Sequence, residues 1–415
     1  MMVGIPARSD SRWRLVVGGA EKISMNCSRA VLNLAKPGPR LAGMDGIQRT
    51  NRLFWKGASS MAKPDFRTAI KYEFHGPDGQ GDMDAVTAVP WKKGFRIIDL
   101  FAGIGGVRLG FEAVGGRSVF SSEWDADAQV TYEANFGDKP NGDITAIPPD
   151  EIPDHDILLA GFPCQAFSII GNRLGFADTR GTLFFNVEQI LRAKRPAAIL
   201  LENVKQLKTH DHGRTFRTII ESLTSLGYFT HTAILNALNY GVCQKRERTF
   251  IVGMLGDLDF SFPPSVPERR SLADILEPDS AVDEKLWASD HIQKKRLARL
   301  EEQGKKPFYP SIWHENKGGH IGIFPYSCAL RANASYNYML VNGNRRPTGR
   351  EMLRIQGYPD SFKVPVCHSA IRKQCGNSVA VPVIEAIARQ MVRALSGSAP
   401  RPVAQHQKSL PLGAG

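Results

Sequence analysis

The 415-residue sequence lacks a run of apolar residues long enough to span a membrane, and it has no evident secretory signal or internal repeat. It also lacks any CxxC pair, because its six cysteines are scattered along the chain. Scattered cysteines argue against a zinc site and a disulfide framework, and they fit a reducing compartment. With an ordinary 42% of hydrophobic residues, the chain is long enough to bury a sizeable core and to form more than one domain.

Acidic residues are scarce near the amino terminus. Residues 1–60 contain ten Lys or Arg residues and three Asp or Glu residues, so more than half of the net charge of +12 lies there. A basic chain favours a polyanionic partner such as nucleic acid, but the rest of the chain has only a small positive excess. Residues 1–92 show no sustained helical or strand period, which predicts a disordered or weakly ordered basic extension. Two alternatives stay open there: a transit peptide, and a later translation start at Met44, Met61 or Met83.

From Phe95 onward, strand and helix patterns alternate. Strands are predicted over six segments: 96–100, 118–121, 157–160, 198–201, 230–235 and 249–253. Helices are predicted between several of them, including one that ends at Glu112 and one over Asp125–Asn135. This alternation predicts an α/β fold with a parallel, doubly wound, Rossmann-like sheet in residues 93–262.

The alternation then ends. Residues 263–342 are richer in Pro, Gly, Tyr and Lys, and they predict a second, smaller domain. Helical patterns resume over Thr348–Gln356 and near Val379–Leu395, so residues 343–397 are expected to return to the first domain. Residues 398–415 are predicted to be a disordered tail.

A glycine-rich turn follows the first predicted strand. The segment Asp99–Gly106 opens a helix, and its glycines let the backbone turn sharply close to a ligand. Glu123 ends the second strand, where such folds bind ribose hydroxyls, and Asp143 is placed to accept a hydrogen bond from an adenine amino group. Because the turn does not have the GxGxxG spacing, this set indicates S-adenosylmethionine rather than NAD. Each acid taken alone could be a helix cap or a solvated loop residue.

A cysteine follows a proline directly after the third predicted strand. Cys164 lies where α/β enzymes place reactive groups, and a helix N-terminus or neighbouring cations would make its thiolate a nucleophile. Glu202 follows the next apolar strand, and a carboxyl group in such a half-buried place can keep its proton and donate a hydrogen bond. Arg246 and Arg248 precede another strand on one face, which suits a carbonyl oxygen or a phosphate. Taken alone, the cysteine could be a buried hydrophobe and the arginines a salt-bridged strand end.

Six motifs together resemble, in their order along the chain, those of the C5-cytosine DNA methyltransferases. They are Asp99–Gly106, Glu123-Trp124, Gly161–Gln165, Leu201–Val204, Gln244–Arg248 and Gln374–Val379. The resemblance runs from about Arg96 to about Ala388 and is interrupted by residues 263–342. Three residues depart from the usual motifs, since Cys243 and Gly349 replace prolines and Cys375 replaces a larger apolar residue.

The resemblance implies a covalent mechanism on cytosine. Cys164 would attack C6 of a flipped cytosine, and Glu202 would hydrogen-bond or protonate N3. Arg248, with Arg246 as a second candidate, would hold the base near its O2. C5 would take a methyl group from S-adenosylmethionine, without a metal. No residue is identified as the base that removes the C5 proton, and water is the alternative.

The resemblance also implies the cofactor contacts and a mobile loop. The cofactor-binding residues would be Phe101, Gly103, Ile104, Gly105, Glu123, Trp124, Asp143, Ile144, Pro163, Leu183 and Asn377. Trp124 would flank the adenine, although a tryptophan after a strand is often part of the core. The segment Phe167–Arg180 would close over the DNA, with Arg173 and Arg180 near phosphates or simply solvated.

The implied partner is double-stranded DNA, with residues 263–342 as the target-recognition domain. The basic run 294–306 could contact DNA or could equally be a solvated helix face. The resemblance further implies a monomer in the cytoplasm, associated with the nucleoid, either in a restriction-modification system with an independent endonuclease or as a solitary methylase. Two alternatives stay open: an RNA (tRNA) cytosine-5 methyltransferase and a non-catalytic DNA-binding regulator.

Overall fold

The computed structural model describes three long stretches of the chain: residues 94–163, 183–266 and 268–397. They belong to one compact unit, Pro64–Gly415. In the other unit, Met1–Lys63, the structure describes two short strands, β1 (Trp13–Leu15) and β2 (Ile23–Met25), which pair antiparallel. Four predicted features lie outside the described residues: Cys164, the loop Phe167–Arg180, the tail 398–415 and the remainder of the extension 1–92.

Strands and helices alternate through the first part of the larger unit. The strands are β3 (Arg96–Leu100), β4 (Arg117–Ser122), β5 (Ile157–Ala160), β6 (Ala198–Val204), β7 (Tyr228–Asn236), β8 (Gln244–Lys245) and β9 (Glu247–Leu255). The helices are α1 (Gly106–Glu112), α2 (Ala126–Phe136), α3 (Leu183–Lys194) and α4 (Arg214–Ser225). The six predicted strands and the two predicted helices are confirmed, with their ends shifted by a few residues.

One mixed sheet organises these elements in the spatial order β4-β3-β5-β6-β9-β7. The pairs from β4 to β6 are parallel, as the sequence predicts. β9 instead runs antiparallel to both β6 and β7, which corrects the prediction of a parallel sheet at this strand. The reason is the connection 237–246, which is too short for the crossover helix that a parallel return requires.

Helices cover both faces of the sheet. Ile97 and Leu159 point to one face, where they pack with α1 and the carboxyl-terminal helix of the unit. Ile98 and Leu158 point to the other face, where they pack with α3 and α4. Because successive strand residues alternate between faces, a wholly apolar strand such as β5 supplies both layers of the core. The doubly wound α/β architecture is therefore confirmed.

Residues 263–342 form a small sheet of their own. They contain α5 (Asp290–Glu302), β10 (Ile312–Glu315), β11 (Ile321–Phe324), β12 (Ser327–Cys328) and β13 (Met339–Val341). β10 pairs antiparallel with β11 and β13, whereas β12 pairs with β8. Ile312 and Met339 share an apolar cluster with Leu353, which lies beyond this segment. The segment is thus joined to the rest by a common core, and its status as a separate domain stays a prediction.

Three helices complete the unit: α6 (Gly349–Ile355), α7 (His368–Asn377) and α8 (Val381–Gly397). Thr348 caps α6 by accepting a hydrogen bond from the Glu351 N–H, and the Glu351 carboxylate accepts one from the Thr348 N–H. This capping box defines the start of α6 at Gly349. None of the helices within the described stretches is long and apolar enough to cross a membrane.

Candidate active site

The ends of three parallel strands bring the predicted motifs to one edge of the sheet. Leu100 of β3 pairs with Ala160 of β5, which pairs with Leu201 of β6. The residues that follow these three positions therefore lie side by side. They are the glycine-rich turn, the segment Gly161–Pro163 that leads into Cys164, and Glu202.

Glu202 lies within a strand rather than beyond its end. The sequence predicts that the strand ends at Leu201, but β6 continues to Val204 because β9 extends alongside it and Glu202 pairs with Phe250. A Cβ atom on Gly161 would lie 3.7 Å from Glu202 Oε2, so the carboxyl group is adjacent to the segment that precedes Cys164. The sequence prediction that these two motifs meet is supported by this proximity.

Arg248 lies against Glu202. Its Nε is 3.0 Å from Glu202 Oε1, and the two side chains are only 18% and 12% exposed. The N–H does not point at the oxygen, so Glu202 Oε1 is buried without an aligned hydrogen-bond donor among the described residues. The two groups are therefore close without forming an aligned hydrogen bond, and Glu202 keeps hydrogen-bonding capacity that a substrate can use.

Asn203 connects the strand of Glu202 to the segment that precedes the nucleophile. Its Nδ2 donates a hydrogen bond of 2.8 Å to the carbonyl oxygen of Phe162, and both residues are buried. No role for Asn203 is predicted from the sequence, although it is the residue after Glu202 in the Leu201–Val204 motif. This contact fixes the backbone two residues before Cys164.

The guanidinium of Arg246 forms hydrogen bonds with backbone carbonyl groups. It donates hydrogen bonds to the backbone oxygens of Leu330, Gly376 and Ser378. Burial, followed by the nearby Arg248, lowers the pKa of Arg246 to about 9. In the structure the Arg246 guanidinium faces these carbonyl groups. Its predicted contact with the base therefore stays a prediction.

The glycine-rich turn is held by Glu123. Gly103 N–H donates to Glu123 Oε2 and Asp125 N–H donates to Oε1, each over 2.8 Å. Burial raises the pKa of Glu123, against the effect of these backbone donors. Gly105 has a φ of 81°, and a Cβ there would lie 2.2 Å from the Phe136 ring, so only glycine fits this position.

An open cavity of about 310 Å³ lies next to the Glu202–Arg248 pair. It is lined by Arg248, by the segment Leu330–Ala334 and by Gly376 and Asn377. Its walls thus come from the large sheet, from the predicted recognition segment and from α7. The volume falls at the lower end of the range typical of small-molecule sites.

Sequence comparisons agree with this arrangement. A family model described as C-5 cytosine-specific DNA methylase matches residues 95–393. The chain belongs to this family. It is 57% identical over 304 residues to Type II methyltransferase M.HaeII of Haemophilus aegyptius, an alignment that covers 73% of this chain and 95% of that protein.

Alignments with two further relatives cover a similar share of this methylase. Type II methyltransferase M.NgoBI of Neisseria gonorrhoeae is 59% identical over 292 residues, covering 70% of this chain and 91% of that protein. Type II methyltransferase M.HhaI of Haemophilus parahaemolyticus is 42% identical over 307 residues, covering 71% and 93%. The predicted resemblance to this family is confirmed.

Solved structures share the fold. A DNMT2 mutant of Spodoptera frugiperda superposes with a TM-score of 0.56 at 21% identity and covers 72% of this chain and 99% of that one. The methyltransferase EhMeth of Entamoeba histolytica superposes with a TM-score of 0.57 at 16% identity, and the match covers 73% of this chain and 98% of that one. At these identities the likeness shows the methyltransferase fold alone.

The remaining predicted cofactor residues of this methylase are distributed over several elements of the fold. Trp124 is 79% exposed, so the alternative that it belongs to the core is wrong. Asp143 Oδ1 accepts a hydrogen bond from the Thr145 N–H, which leaves its second oxygen available, and Ile144 is buried beside it. Phe101 lies in the glycine-rich turn with a φ of 56°, and Ile104 in the same turn is buried. Pro163 follows β5, Leu183 is the first residue of α3, and Asn377 lines the cavity.

Proposed function

We propose that this methylase transfers a methyl group from S-adenosylmethionine to C5 of a cytosine flipped out of double-stranded DNA. The observation that carries the proposal is the Glu202–Arg248 pair beside the segment Gly161–Pro163, which leads directly into Cys164. The target atoms of cytosine lie inside the base stack, so the base has to leave the helix to reach these groups.

The first step is attack on the ring. The Cys164 thiolate forms a bond to C6, and the electron pair of the C5–C6 double bond moves toward N3 and C5. Glu202 stabilises this charge by donating a hydrogen bond or a proton to N3, and Arg248 holds the base near its O2. Asn203 contributes by holding the backbone of Phe162, two residues before Cys164 in sequence, against the strand that carries Glu202.

The second step makes and breaks bonds at C5. S-adenosylmethionine, when bound, supplies an electrophilic methyl group. C5 forms its new bond to the methyl carbon as the bond between that carbon and the sulfonium sulfur breaks, which leaves S-adenosylhomocysteine. The C5 proton then leaves to water or to a base of the protein. The electron pair of the C5–H bond restores the C5–C6 double bond as the C6–sulfur bond breaks, which returns Cys164 to its thiolate form. A proton that Glu202 gave to N3 in the first step returns to Glu202.

The residues around the glycine-rich turn fit a nucleoside cofactor. Each oxygen of Glu123 accepts one backbone hydrogen bond and has a further lone pair for a ribose hydroxyl. The exposed Trp124 ring would flank the adenine, and Asp143 would accept from its amino group. The described residues contain no group of three or more His, Cys, Asp or Glu that could hold a metal ion.

The biological setting completes the proposal. The relatives are named Type II methyltransferases, which supports a role in a restriction-modification system. We place the protein in the cytoplasm, in association with the nucleoid, as a monomer whose cognate endonuclease, where one exists, acts independently.

The test is cytosine-methylation sequencing of DNA from a methylation-free bacterial host that expresses this chain. Cys164→Ser removes the nucleophile, and Cys367→Ser is the matched control because Cys367 is an exposed cysteine directly before α7. We expect modified cytosines within one short motif for the wild type and for C367S, and none for C164S. Unmodified DNA in the presence of folded wild-type protein would contradict the proposal, and methylated tRNA in that host would support the RNA alternative instead.

A further inference from the structure

The segment Leu330–Ala334 is a fixed element of the cavity wall. Leu330 N–H donates to Gln244 Oε1 over 3.1 Å, and Arg246 donates to the Leu330 carbonyl oxygen over 2.9 Å. At the other end, Arg372 donates to the Ala334 carbonyl oxygen over 3.0 Å. The backbone is therefore tied to β8, to Arg246 directly before β9, and to α7.

Gly376 holds the middle of the same segment. A Cβ atom on Gly376 would lie 2.1 Å from the Ala332 nitrogen and 2.5 Å from the Arg331 carbonyl carbon. The α7 backbone therefore packs directly on the backbone of Arg331 and Ala332. With both ends and the middle held, the direction in which the Arg331 side chain leaves the chain is set by the fold.

The Arg331 guanidinium is itself oriented by two side chains. It lies over the Tyr338 ring, 4.8 Å from the centroid, and its Nη2 is 3.2 Å from His314 Nε2. Burial and the nearby Arg331 lower the pKa of His314, so that its neutral ring can accept this hydrogen bond. Arg331 is nevertheless exposed, and within the described stretches it forms no ion pair.

We propose that Arg331 reads a guanine of the recognised DNA sequence in the major groove, next to the target cytosine. A guanidinium held flat presents two parallel N–H donors, which match O6 and N7 of guanine. Its position on the wall of the cavity that Arg248 also lines places it beside the target base. A phosphate contact would need only the charge, and exposed lysines such as Lys295 on α5 already offer that.

The proposal rests on DNA being the substrate, and its test uses the purified full chain. Duplexes with randomised positions around the target cytosine are methylated, and the methylated products are sequenced. Three proteins are compared with the wild type: Arg331→Lys, Arg331→Gln and the control Lys295→Gln. Arg331→Lys is the decisive variant, because it keeps the positive charge and removes the two-pronged donor. Thermal unfolding of each variant shows whether it is folded.

We expect folded R331K and R331Q to lose the preference for guanine at one position by about 10- to 100-fold while other positions keep theirs. K295Q should keep the wild-type preference. A uniform loss in R331Q that R331K restores, with a weaker salt dependence of DNA binding, would show a phosphate contact and overturn the proposal. Unchanged preferences in both variants would also overturn it. A wild-type protein that methylates no duplex would overturn the proposed function itself.

Discussion

Asn203 Nδ2 donates a buried hydrogen bond of 2.8 Å to the carbonyl oxygen of Phe162. This bond joins β6, on which Glu202 lies, to the end of β5, from which the chain continues into Cys164. The strand of Glu202 is thus tied directly to Phe162, which precedes the proposed nucleophile by two residues in sequence. The relationship assigns to Asn203 a positioning role that is separate from binding.

Removing this hydrogen bond should slow methylation without weakening DNA binding. For Asn203→Ala we expect a fall in the single-turnover rate of about 100-fold, because a small displacement of a reacting group costs this much. Asn135→Ala is the matched control, since Asn135 is equally buried and bonds the backbone of Lys363 instead. Equal rates for the two variants would show that Asn203 acts only on stability.

Glu202→Gln should lower the rate of the chemical step. The amide retains a hydrogen-bond donor but cannot deliver a proton to N3, and general acid catalysis contributes about 10²- to 10⁴-fold. We expect a loss of at least about 100-fold in the single-turnover rate at saturating DNA, with an unchanged dissociation constant for DNA. A variant with a wild-type rate would exclude the proposed role of Glu202.

Arg246→Gln should destabilise the fold. The substitution leaves the carbonyl oxygens of Leu330, Gly376 and Ser378 without their donor, and each unsatisfied buried group costs about 1–3 kcal/mol. We expect the free energy of unfolding to fall by about 3 kcal/mol in urea titrations. Arg192→Gln is the control, because Arg192 is 65% exposed and should change stability by less than about 0.5 kcal/mol. A midpoint for R246Q equal to that of the wild type would refute the structural role.

The burial of Asp99 should make the free energy of unfolding fall as the pH rises. It is fully buried at the end of β3, and burial raises its pKa from 3.8 to about 8, with Arg108 acting in the opposite direction. Between about pH 4 and pH 8 the folded state therefore binds a proton that the unfolded state releases. The contribution to stability is present at low pH and is lost with a slope of up to about 1.4 kcal/mol per pH unit.

Asp99→Asn removes the titration while keeping the shape of the side chain. We expect its melting temperature to exceed that of the wild type at pH 8 and to approach the wild-type value at pH 5. Differential scanning calorimetry at both pH values measures this. A constant difference between the two proteins across the range would contradict the assignment to Asp99.

The strands of the sheet and the motifs at its edge could be predicted from the sequence. Short strands such as Ile157–Ala160 are buried on both faces, so their wholly apolar composition is enough to predict them. The motif residues follow these runs directly, and parallel strands bring such positions to one edge. For this reason the sequence predicts that Glu202 and the segment before Cys164 meet at this edge.

The direction of β9 and the partners of Arg246 could not be predicted in this way. Strand direction depends on the length of the connection 237–246, whose short β8 and 3-10 turn have no apolar period. Two partners of Arg246 are the carbonyl groups of Leu330 and Gly376, which are far along the chain. Every residue has a backbone carbonyl group, so the sequence does not indicate which one accepts a hydrogen bond. The same holds for Asn203, because its partner is the backbone of Phe162.

Covalent trapping on DNA tests the central claim most directly. A duplex that carries 5-fluorocytosine at the target position has no C5 proton to lose, so the C6–sulfur bond cannot break after methyl transfer. We predict a stable protein–DNA adduct in the presence of S-adenosylmethionine, located by mass spectrometry on the peptide that contains Cys164. The adduct should form with C367S and be absent with C164S. An adduct on another residue, or none from a wild-type protein that methylates ordinary duplex, would contradict the account.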